Sequence, residues 1–211
     1  MSLKKKIIPA IIAKSQQELE DKINKVKNNV EIVQLDIMDG KFVRNNSIDF
    51  DFKLPDADCI FEAHLMIENP EEWIKKHIKK VDMVLAHIET CKKPKKLVEL
   101  VKEKGKHVGF VLNPETPLST IMDYIDDIDQ VLIMTVKPGF YGSPFLPEMV
   151  AKIKKLREIK PDLDIEVDGG VTDKTINLVD RAGANMFVSG SYILKSEDVR
   201  QAIASLKRAI G

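Results

Sequence analysis

Two aspartates stand at the ends of apolar stretches in a way that suits acid–base chemistry. Asp36 lies inside the apolar run 30–38, VEIVQLDIM, and Asp168 follows the apolar residues of IEVDGG at 165–170. An ionised carboxylate removed from water needs a partner or a metal, so a chain retains one inside a strand mainly where it has chemistry to do. On the first stretch alone, an aspartate that only caps a neighbouring loop is the alternative.

His64 stands in a third apolar stretch, FEAHLM at 61–66, and completes a set that could move a proton. If Asp36 and Asp168 face one bound molecule from opposite sides, one can remove a proton α to a carbonyl. The other can return a proton to the opposite face, which inverts a stereocentre through an enediolate. A divalent metal held by Asp and His is the usual device that stabilises an enediolate. For His64 alone, a core histidine bonded to the backbone is the alternative.

Glycines gather after the last apolar stretches and indicate an anion site. Gly169–Gly170 follow Asp168, and Gly190–Ser191 open a segment of helical character. Without a Cβ, such backbone lets N–H groups approach a phosphate at a helix N-terminus. Gly139 and Gly142 could supply a third backbone arm. Each pair taken singly is typical of an ordinary turn, and only the combination predicts a phosphate site.

Apolar stretches of strand character alternate with amphipathic segments along the whole chain. In the segment 147–159, for example, Met149, Ile153 and Leu156 recur at helical spacing while lysines fill the other face. The eight apolar stretches are Ile7–Ile12, Val30–Met38, Ile60–Ile67, Met83–Ile88, Val108–Leu112, Val131–Val136, Ile165–Val167 and Met186–Val188. The amphipathic segments are Gln16–Lys27, Pro70–Lys79, Pro94–Lys104, Pro117–Tyr124, Pro147–Ile159, Thr172–Arg181 and Glu197–Ile210. The stretch 39–59 is the poorest helix candidate, with room only for a short helix at Ser47–Leu54.

Buried strands interleaved with helices predict parallel pairing with both faces of the sheet covered. Eight such units in 211 residues predict a single (β/α)8 barrel domain over 1–211, toward the small end for that fold. A doubly wound open sheet is the alternative from the pattern alone. A barrel places its catalytic groups at the carboxyl ends of the strands. Polar residues gather at those ends, Asp36, His64 and Asp168 among them, whereas the opposite ends carry ordinary loop residues.

Composition excludes several classes of partner. Lys+Arg and Asp+Glu balance at 33 each, so no basic field favours nucleic acid or an anionic membrane. Cys59 and Cys91 form neither a disulfide framework nor a metal-spaced pair, which suits a reducing cytoplasm. The start MSLKKK is too polar for a signal peptide, its first three residues are compatible with a cloning remnant, and no apolar run approaches the ~20 residues of a membrane helix. We therefore expect a soluble cytoplasmic protein.

Five segments carry a resemblance to a known family. They are LDIMDGKFV at 35–43, HLM at 64–66, MTVKPGF at 134–140, IEVDGGV at 165–171 and SGS at 189–191. In this order they resemble the ribulose-phosphate 3-epimerases, over essentially the whole chain. That family is a (β/α)8 barrel of the ribulose-phosphate-binding type, which interconverts ribulose 5-phosphate and xylulose 5-phosphate in the pentose phosphate pathway. Allulose-6-phosphate epimerases are similar and use the same machinery.

The resemblance implies roles for particular residues. Asp36 and Asp168 would be the acid–base pair and, with His64, would bind a divalent metal such as Zn²⁺, Fe²⁺ or Mn²⁺. A ketose phosphate would be the small-molecule partner, and the family forms dimers and larger assemblies, although no segment of this sequence indicates an interface. Three methionines, which otherwise resemble core filler, would wall the reacting centre and keep water from the enediolate. They are Met38, Met66 and Met134.

The sequence departs from the family pattern near these residues. The family has a histidine, its first metal ligand, where this chain has Gln34. An amide oxygen is a harder and weaker donor than imidazole, so the affinity for Zn²⁺ or Fe²⁺ should fall. Ala10 replaces a serine that contacts substrate, and Lys137, Tyr141 and Arg44 replace an asparagine, a glycine and a proline. The last two strands keep the pattern, so phosphate binding is less affected than catalysis.

Three functions remain as alternatives. The main one is a 3-epimerase acting on ribulose 5-phosphate or on another ketose phosphate such as allulose 6-phosphate. A barrel that binds phosphosugars but has lost efficient proton transfer is the second, and Ala10 and Gln34 favour it. A decarboxylase or aldolase-type barrel is the third. For Lys137, either its charge partly replaces a weakened metal by polarising the carbonyl, or its side chain points to solvent.

Overall fold

Strands and helices alternate along the chain in the structure, a computed structural model that describes residues 3–139 and 142–211. Met1, Ser2, Phe140 and Tyr141 lie outside the described residues. The strands are β1 (Lys6–Ile8), β2 (Ala10–Ile11), β3 (Ile32–Asp39), β4 (Asn46–Ser47), β5 (Ile60–Met66), β6 (Met83–His87), β7 (His107–Leu112), β8 (Gln130–Met134), β9 (Asp164–Asp168) and β10 (Met186–Val188). The α-helices are α1 (Gln16–Val26), α2 (Pro70–His77), α3 (Pro94–Lys102), α4 (Met149–Ile159), α5 (Ile176–Ala182), α6 (Ser191–Leu194) and α7 (Val199–Ala209). Short 3₁₀ turns lie at Ile78–Lys80, Ile88–Thr90, Leu118–Thr120 and Met122–Tyr124.

The parallel sheet closes into a barrel because its first strand, which is divided into two segments, pairs on both of its sides. β1 pairs with β10 and β2 pairs with β3, and the sheet runs from β10 through β9, β8, β7, β6 and β5 to β3. Pro9 separates the two segments, since proline has no N–H for a ladder. Its carbonyl nevertheless accepts a hydrogen bond from Gln34 N at 3.0 Å. With β1 and β2 counted as one strand, the sheet is the predicted eight-stranded barrel and not the open sheet. None of the helices in the described ranges is long and apolar enough to cross a membrane.

Alternate residues of each strand pack on opposite sides of the barrel wall. Leu35 and Ile37 of β3 belong to the large apolar core between the barrel and the helices, together with Ile23 of α1 and Ile153 of α4. The inward positions of β3, β5, β8 and β9 carry several buried polar side chains, which therefore meet inside the barrel. The largest inner apolar cluster consists of Met83, Leu85, Val111, Leu132, Met134 and Val136.

Two predicted helical segments differ in the structure. Pro117–Tyr124 contains two 3₁₀ turns rather than an α-helix, because its threonine, isoleucine, tyrosine and aspartate residues are poor helix formers. The short helix considered at Ser47–Leu54 is wrong as well, since that described stretch is irregular after β4, which pairs antiparallel with the end of β3. Apolar residues recur there at every second position, a spacing that gives no helical face. They are Ile48, Phe50, Phe52 and Leu54.

The turn after β9 holds Asp168 in place and requires a glycine. Thr135 N donates to Asp168 O at 2.7 Å, and Thr135 Oγ1 donates to Gly169 O at 2.6 Å. Gly169 has a φ of +113°, and a Cβ there would lie 2.3 Å from Val136 Cγ2. Both the backbone conformation and the close approach exclude a side chain.

We expect Gly169→Ala to lower the free energy of unfolding by about 3 kcal/mol, because alanine disfavours positive φ and its methyl overlaps Val136. Gly105→Ala is the matched control. Gly105 has a φ of +68°, but no atom of a described residue, apart from its chain neighbours, lies within 4 Å of the place that its methyl would occupy. This variant should lose only about 1 kcal/mol. Urea unfolding measures both variants, and equal losses would show that the contact with Val136 is unimportant.

Candidate active site

The carboxyl ends of three strands bring Asp36, His64 and Asp168 together. Asp36 on β3 is the register partner of His64 on β5. Asp168 ends β9, which is separated from β3 by β10 and the divided first strand. His64 Nδ1 lies 3.4 Å from Asp36 Oδ1 and 3.3 Å from Asp168 Oδ2. His64 and Asp36 are buried, and Asp168 is partly buried. The three residues singled out in the sequence therefore form one cluster.

Gln34 joins this cluster through its amide nitrogen. Gln34 Nε2 donates to Asp36 Oδ1 and to Asp168 Oδ2, both at 2.8 Å, and lies 3.4 Å from His64 Nδ1. The sequence indicated Gln34 as a weak metal ligand through its oxygen. In this arrangement the nitrogen, which cannot bind a cation, faces the other three groups.

The three predicted ligands fit a divalent cation by charge and spacing. The ligand atoms of Asp36, His64 and Asp168 all lie within 4.8 Å of one another. Two atoms about 2.1 Å from one ion, at a tetrahedral angle, are roughly 3.4 Å apart. The separations of His64 Nδ1 from the two carboxylates, 3.4 and 3.3 Å, match that value. Two carboxylates and an imidazole suit Zn²⁺, Fe²⁺ or Mn²⁺, so these residues can hold such an ion.

A second histidine orients His64. His64 Nε2 lies 3.0 Å from His87 Nε2, and His87 Nδ1 lies 3.2 Å from Glu89 Oε2. Since an ionised carboxylate only accepts, His87 Nδ1 carries the proton, and His87 Nε2 accepts from His64 Nε2–H. Glu89 is held in turn by Asn113 N at 2.8 Å and by the Thr116 hydroxyl. His64 therefore presents Nδ1 to the two aspartates, as a metal-binding imidazole must.

The surroundings of these groups shift their pKa values in different directions. Burial would lower the pKa of His64, but hydrogen bonds with Asp168 and Asp36 outweigh it and raise the pKa to about 9. Burial lowers the pKa of His87 to about 4, so this ring stays neutral and can accept a hydrogen bond. Burial, with the charge of Asp168, raises the pKa of Asp36. Asp36 is thus a carboxyl able to carry a proton beside a second carboxylate, which suits acid–base work.

Asp36 and Asp168 line a cleft at this end of the barrel, with about 590 Å³ of space between atoms when its open mouth is included. Every residue predicted to contact substrate lines the same cleft: Ala10, Met38, Met66, Met134, Gly139, Gly142, Gly169, Gly170, Gly190 and Ser191. Further lining residues were not singled out in the sequence, although each is within a few positions of one that was. They are Ile12, Val136, Pro138, Ser143, Val171, Thr172, Val188 and Ser189.

The departures from the family pattern are distributed unevenly around the cleft. Lys137 and Arg44 are exposed and are not among its lining residues. Their exposure favours a Lys137 side chain that points to solvent over one that polarises a bound carbonyl. Ala10 lines the cleft and is the register partner of Gln34, so these two departures are neighbours. Tyr141 lies outside the described residues.

A second polar layer lies one inward position deeper in the barrel. Glu62 and Glu166 stand two residues before His64 and Asp168 and so face the same way. Both are buried, and Gln130 Nε2 donates to Glu166 Oε2 at 2.7 Å. Burial raises the pKa of Glu62 to about 8 and that of Glu166 well above its ordinary value, with the charge of Glu62 adding to the latter. Sequence reasoning missed Glu62 and Gln130. For Glu62, its place two positions before His64 was a usable signal, whereas Gln130 stands two positions before Leu132, which has no predicted role.

We expect the free energy of unfolding to fall as the pH rises from 4.5 to about 8, because Glu62 takes up its proton more readily in the folded chain. A group with a raised folded pKa stabilises the fold below its unfolded pKa, and this contribution is lost as the pH passes the folded value. Glu62→Gln cannot ionise, so it should be more stable than wild type by roughly 1–3 kcal/mol at pH 8.

Urea unfolding at pH 5 and pH 8 measures this difference, with the exposed Glu99→Gln as the matched control. The control should follow the wild-type dependence on pH. A Glu62→Gln variant that does the same would show that Glu62 is already ionised in the fold.

Comparisons with known proteins agree with this geometry. The family model described as the ribulose-phosphate 3 epimerase family matches residues 6–194. A ribulose-phosphate 3-epimerase of Bacillus subtilis is 38% identical in an alignment that covers 96% of this chain and 98% of the relative. One of Eremothecium gossypii is 33% identical in an alignment that covers 95% of this chain and 91% of that relative. The crystal structure of a 3-hexulose-6-phosphate synthase shares the fold, with a TM-score of 0.70 at 20% identity over 98% of this chain and 100% of that one. The chain belongs to the ribulose-phosphate 3-epimerase family.

Proposed function

We propose that this protein is a ketose-phosphate 3-epimerase that interconverts ribulose 5-phosphate and xylulose 5-phosphate. One observation carries the proposal. Asp36 Oδ1 and Asp168 Oδ2, which come from strands on different sides of the barrel, both lie 2.8 Å from the same atom, Gln34 Nε2. Two carboxylates that converge on one point can address the two faces of one carbon. The names of its relatives from B. subtilis and E. gossypii are consistent with the same reaction.

In the proposed reaction the two aspartates act in turn on C3 of the ketose phosphate. One removes the C3 proton, and the electron pair of the C–H bond moves toward the carbonyl to give an enediolate. The other delivers a proton to the opposite face, which inverts C3 and restores the carbonyl. Burial and the charge of Asp168 raise the pKa of Asp36. A raised pKa suits a carboxyl that must carry a proton for part of the cycle.

Asp36, His64 and Asp168 would hold a divalent metal, Zn²⁺, Fe²⁺ or Mn²⁺. When bound, that ion supplies positive charge that stabilises the enediolate oxygens. The chain itself supplies the orientation of His64, through His87, and an apolar wall around the reacting carbon. The wall excludes water, which strengthens the electrostatic interactions of the site and prevents stray protonation of the enediolate. Its methionines are Met38, Met66 and Met134.

The glycine loops beside the carboxylates suit the phosphate group. A Cβ at Gly170 would lie 2.9 Å from Phe145 Cβ, and the φ of Gly170 is +65°, so a glycine keeps the backbone accessible here. Ser189 Oγ donates to Val171 O at 2.8 Å, which ties this loop to the one that follows β10. Both loops line the same cleft. Their backbone N–H groups are the expected phosphate contacts, since successive N–H groups in such loops form concave sites for anions.

The alternatives drawn from the sequence gain no support from these residues. A phosphosugar-binding barrel without proton transfer would not need Asp36, His64 and Asp168 to converge, and they do. A decarboxylase or aldolase would serve the same phosphosugar class, but the family match gives no reason to prefer it. We expect the protein to act in the cytoplasm on a small ketose phosphate, with ribulose 5-phosphate preferred over allulose 6-phosphate.

Deuterium incorporation at C3 tests the two-carboxylate reaction. With added Zn²⁺, Fe²⁺ or Mn²⁺ in D₂O, the wild-type protein should exchange the C3 proton of both pentulose phosphates. Asp36→Asn and Asp168→Asn should each lose epimerisation by roughly 10³-fold. Each single variant retains one base, so each should still exchange the proton of one epimer, and the two variants should retain opposite epimers. NMR of each substrate after incubation measures both quantities.

Lys137→Met is the control for this experiment, since Lys137 is exposed and outside the cleft lining. Its epimerisation rate should equal that of the wild type, both with metal and after exhaustive chelation. Wild-type protein that binds ribulose 5-phosphate but exchanges no deuterium with any of the three metals would instead identify a phosphosugar-binding protein.

A further inference from the structure

The amide of Gln34 lies where the predicted metal ligands converge. Its Nε2 atom is 2.8 Å from Asp36 Oδ1, 2.8 Å from Asp168 Oδ2 and 3.4 Å from His64 Nδ1. An amide nitrogen carries two protons and no available lone pair. The two protons are enough for one hydrogen bond to each carboxylate. The N–H groups of Gln34 therefore join the two carboxylates through one partner of partial positive charge, as a bound cation would.

Electrostatics decides which end of the amide faces inward. An inward oxygen would lie 2.8 Å from two carboxylate oxygens, and all three atoms are acceptors that repel one another. An inward nitrogen would in turn repel a cation held by the same carboxylates. The inward end is thus nitrogen where no cation is bound and oxygen where one is bound. The amide ends are nearly equal in size, so a rotation of the terminal group exchanges them.

The outward end of the amide does not oppose such a rotation. Gln34 Oε1 is buried and has no hydrogen-bond partner among the residues that the structure describes. No donor from that part of the chain therefore holds the oxygen in its outward position. The orientation of the amide therefore depends on its inward contacts, which are Asp36, Asp168 and His64 and, where one is bound, the cation.

We propose that Gln34 is a two-position residue of the active site. With its nitrogen inward it bridges Asp36 and Asp168 without a metal. With its oxygen inward it is the fourth ligand of a divalent cation. Cation binding and amide reversal are then one equilibrium, and the cation must displace two charge-assisted hydrogen bonds before it binds. The inference rests on the proposed active site but not on its turnover.

Two consequences follow for this chain. Zn²⁺ binds more weakly than it would with a histidine at position 34, because the amide oxygen is a weaker ligand and because the bridge must be broken. The site also survives loss of the ion, since the bridge replaces the contacts that the ion had made. The protein should therefore exchange its metal reversibly and remain folded in the presence of a chelator.

Side-chain NMR tests the bridge directly. The chain has five glutamines, Gln16, Gln17, Gln34, Gln130 and Gln201, and ¹⁵N labelling of their amides gives five pairs of signals. Gln34→Leu assigns the pair of interest by its disappearance. In chelator-treated wild type, both Gln34 protons should be displaced downfield relative to those of exposed Gln17, because each bonds to a carboxylate. Saturation with Zn²⁺ should move both upfield, while the Gln130 pair stays in place.

Zn²⁺ affinity, measured by competition with a chromophoric chelator, tests the cost of the bridge. Gln34→His should bind Zn²⁺ about 10–100-fold more tightly than wild type. Gln34→Glu, which is isosteric and adds an anionic ligand, serves the same comparison if Gln34→His does not fold. Gln130→Met removes an amide from the deeper layer and should leave the affinity unchanged.

Three results would overturn the proposal. Gln34 signals that match those of Gln17 in chelator-treated protein would rule out the bridge. Gln34 signals that do not move at Zn²⁺ saturation, or wild type that takes up no Zn²⁺ at millimolar concentration, would rule out the reversal. If neither Gln34→His nor Gln34→Glu binds Zn²⁺ more tightly than wild type does, Gln34 does not weaken Zn²⁺ binding. None of these readouts needs epimerase activity, so failure here is distinct from failure of the proposed function.

Discussion

Two like charges inside the barrel are the constraint on which the rest of the site depends. Asp36 and Asp168 project from β3 and β9 into a region with little water, where repulsion between carboxylates is strong. They remain close because they share donors. Gln34 Nε2 lies 2.8 Å from both, and His64 Nδ1 lies 3.4 and 3.3 Å from them. The surrounding contacts serve these donors and acceptors, as when Thr135 holds the end of β9 through the Asp168 carbonyl.

A glutamine amide also donates to a buried carboxyl one layer deeper in the barrel, but the surroundings of that carboxyl are different. Gln130 Nε2 donates to Glu166, as Gln34 donates to the aspartates, but no histidine joins that layer within the described ranges. Burial raises the pKa of Glu62 to about 8 and that of Glu166 well above its ordinary value, which favours the neutral form of both carboxyls. A neutral lower layer adds no negative charge beneath the two aspartates. The acidic groups that substrate and metal would meet are thus those at the cleft, Asp36 and Asp168.

Much of this arrangement could be predicted from the sequence, because barrel strands buried on both faces are continuous apolar runs. Asp36, His64 and Asp168 were conspicuous for the same reason, as polar residues within such runs. The orientation of Gln34 could not be predicted in this way. This orientation depends on contacts with His64 and Asp168, which lie 30 and 134 positions further along the chain. Sequence spacing carries no information on which end of an amide faces inward. The prediction of a helix at Pro117–Tyr124 was wrong for a local reason. The amphipathic spacing of this segment suits a helix, but its residue types do not favour one.

The departures at positions 10 and 34 are neighbours in the sheet. Ala10 and Gln34 are register partners on adjacent strands, and the family pattern has a serine and a histidine there. The methyl of Ala10 cannot donate a hydrogen bond to the amide oxygen. Gln34 Oε1 is buried without a hydrogen-bond partner among the described residues. The amide is therefore oriented by its inward contacts with Asp36, Asp168 and His64.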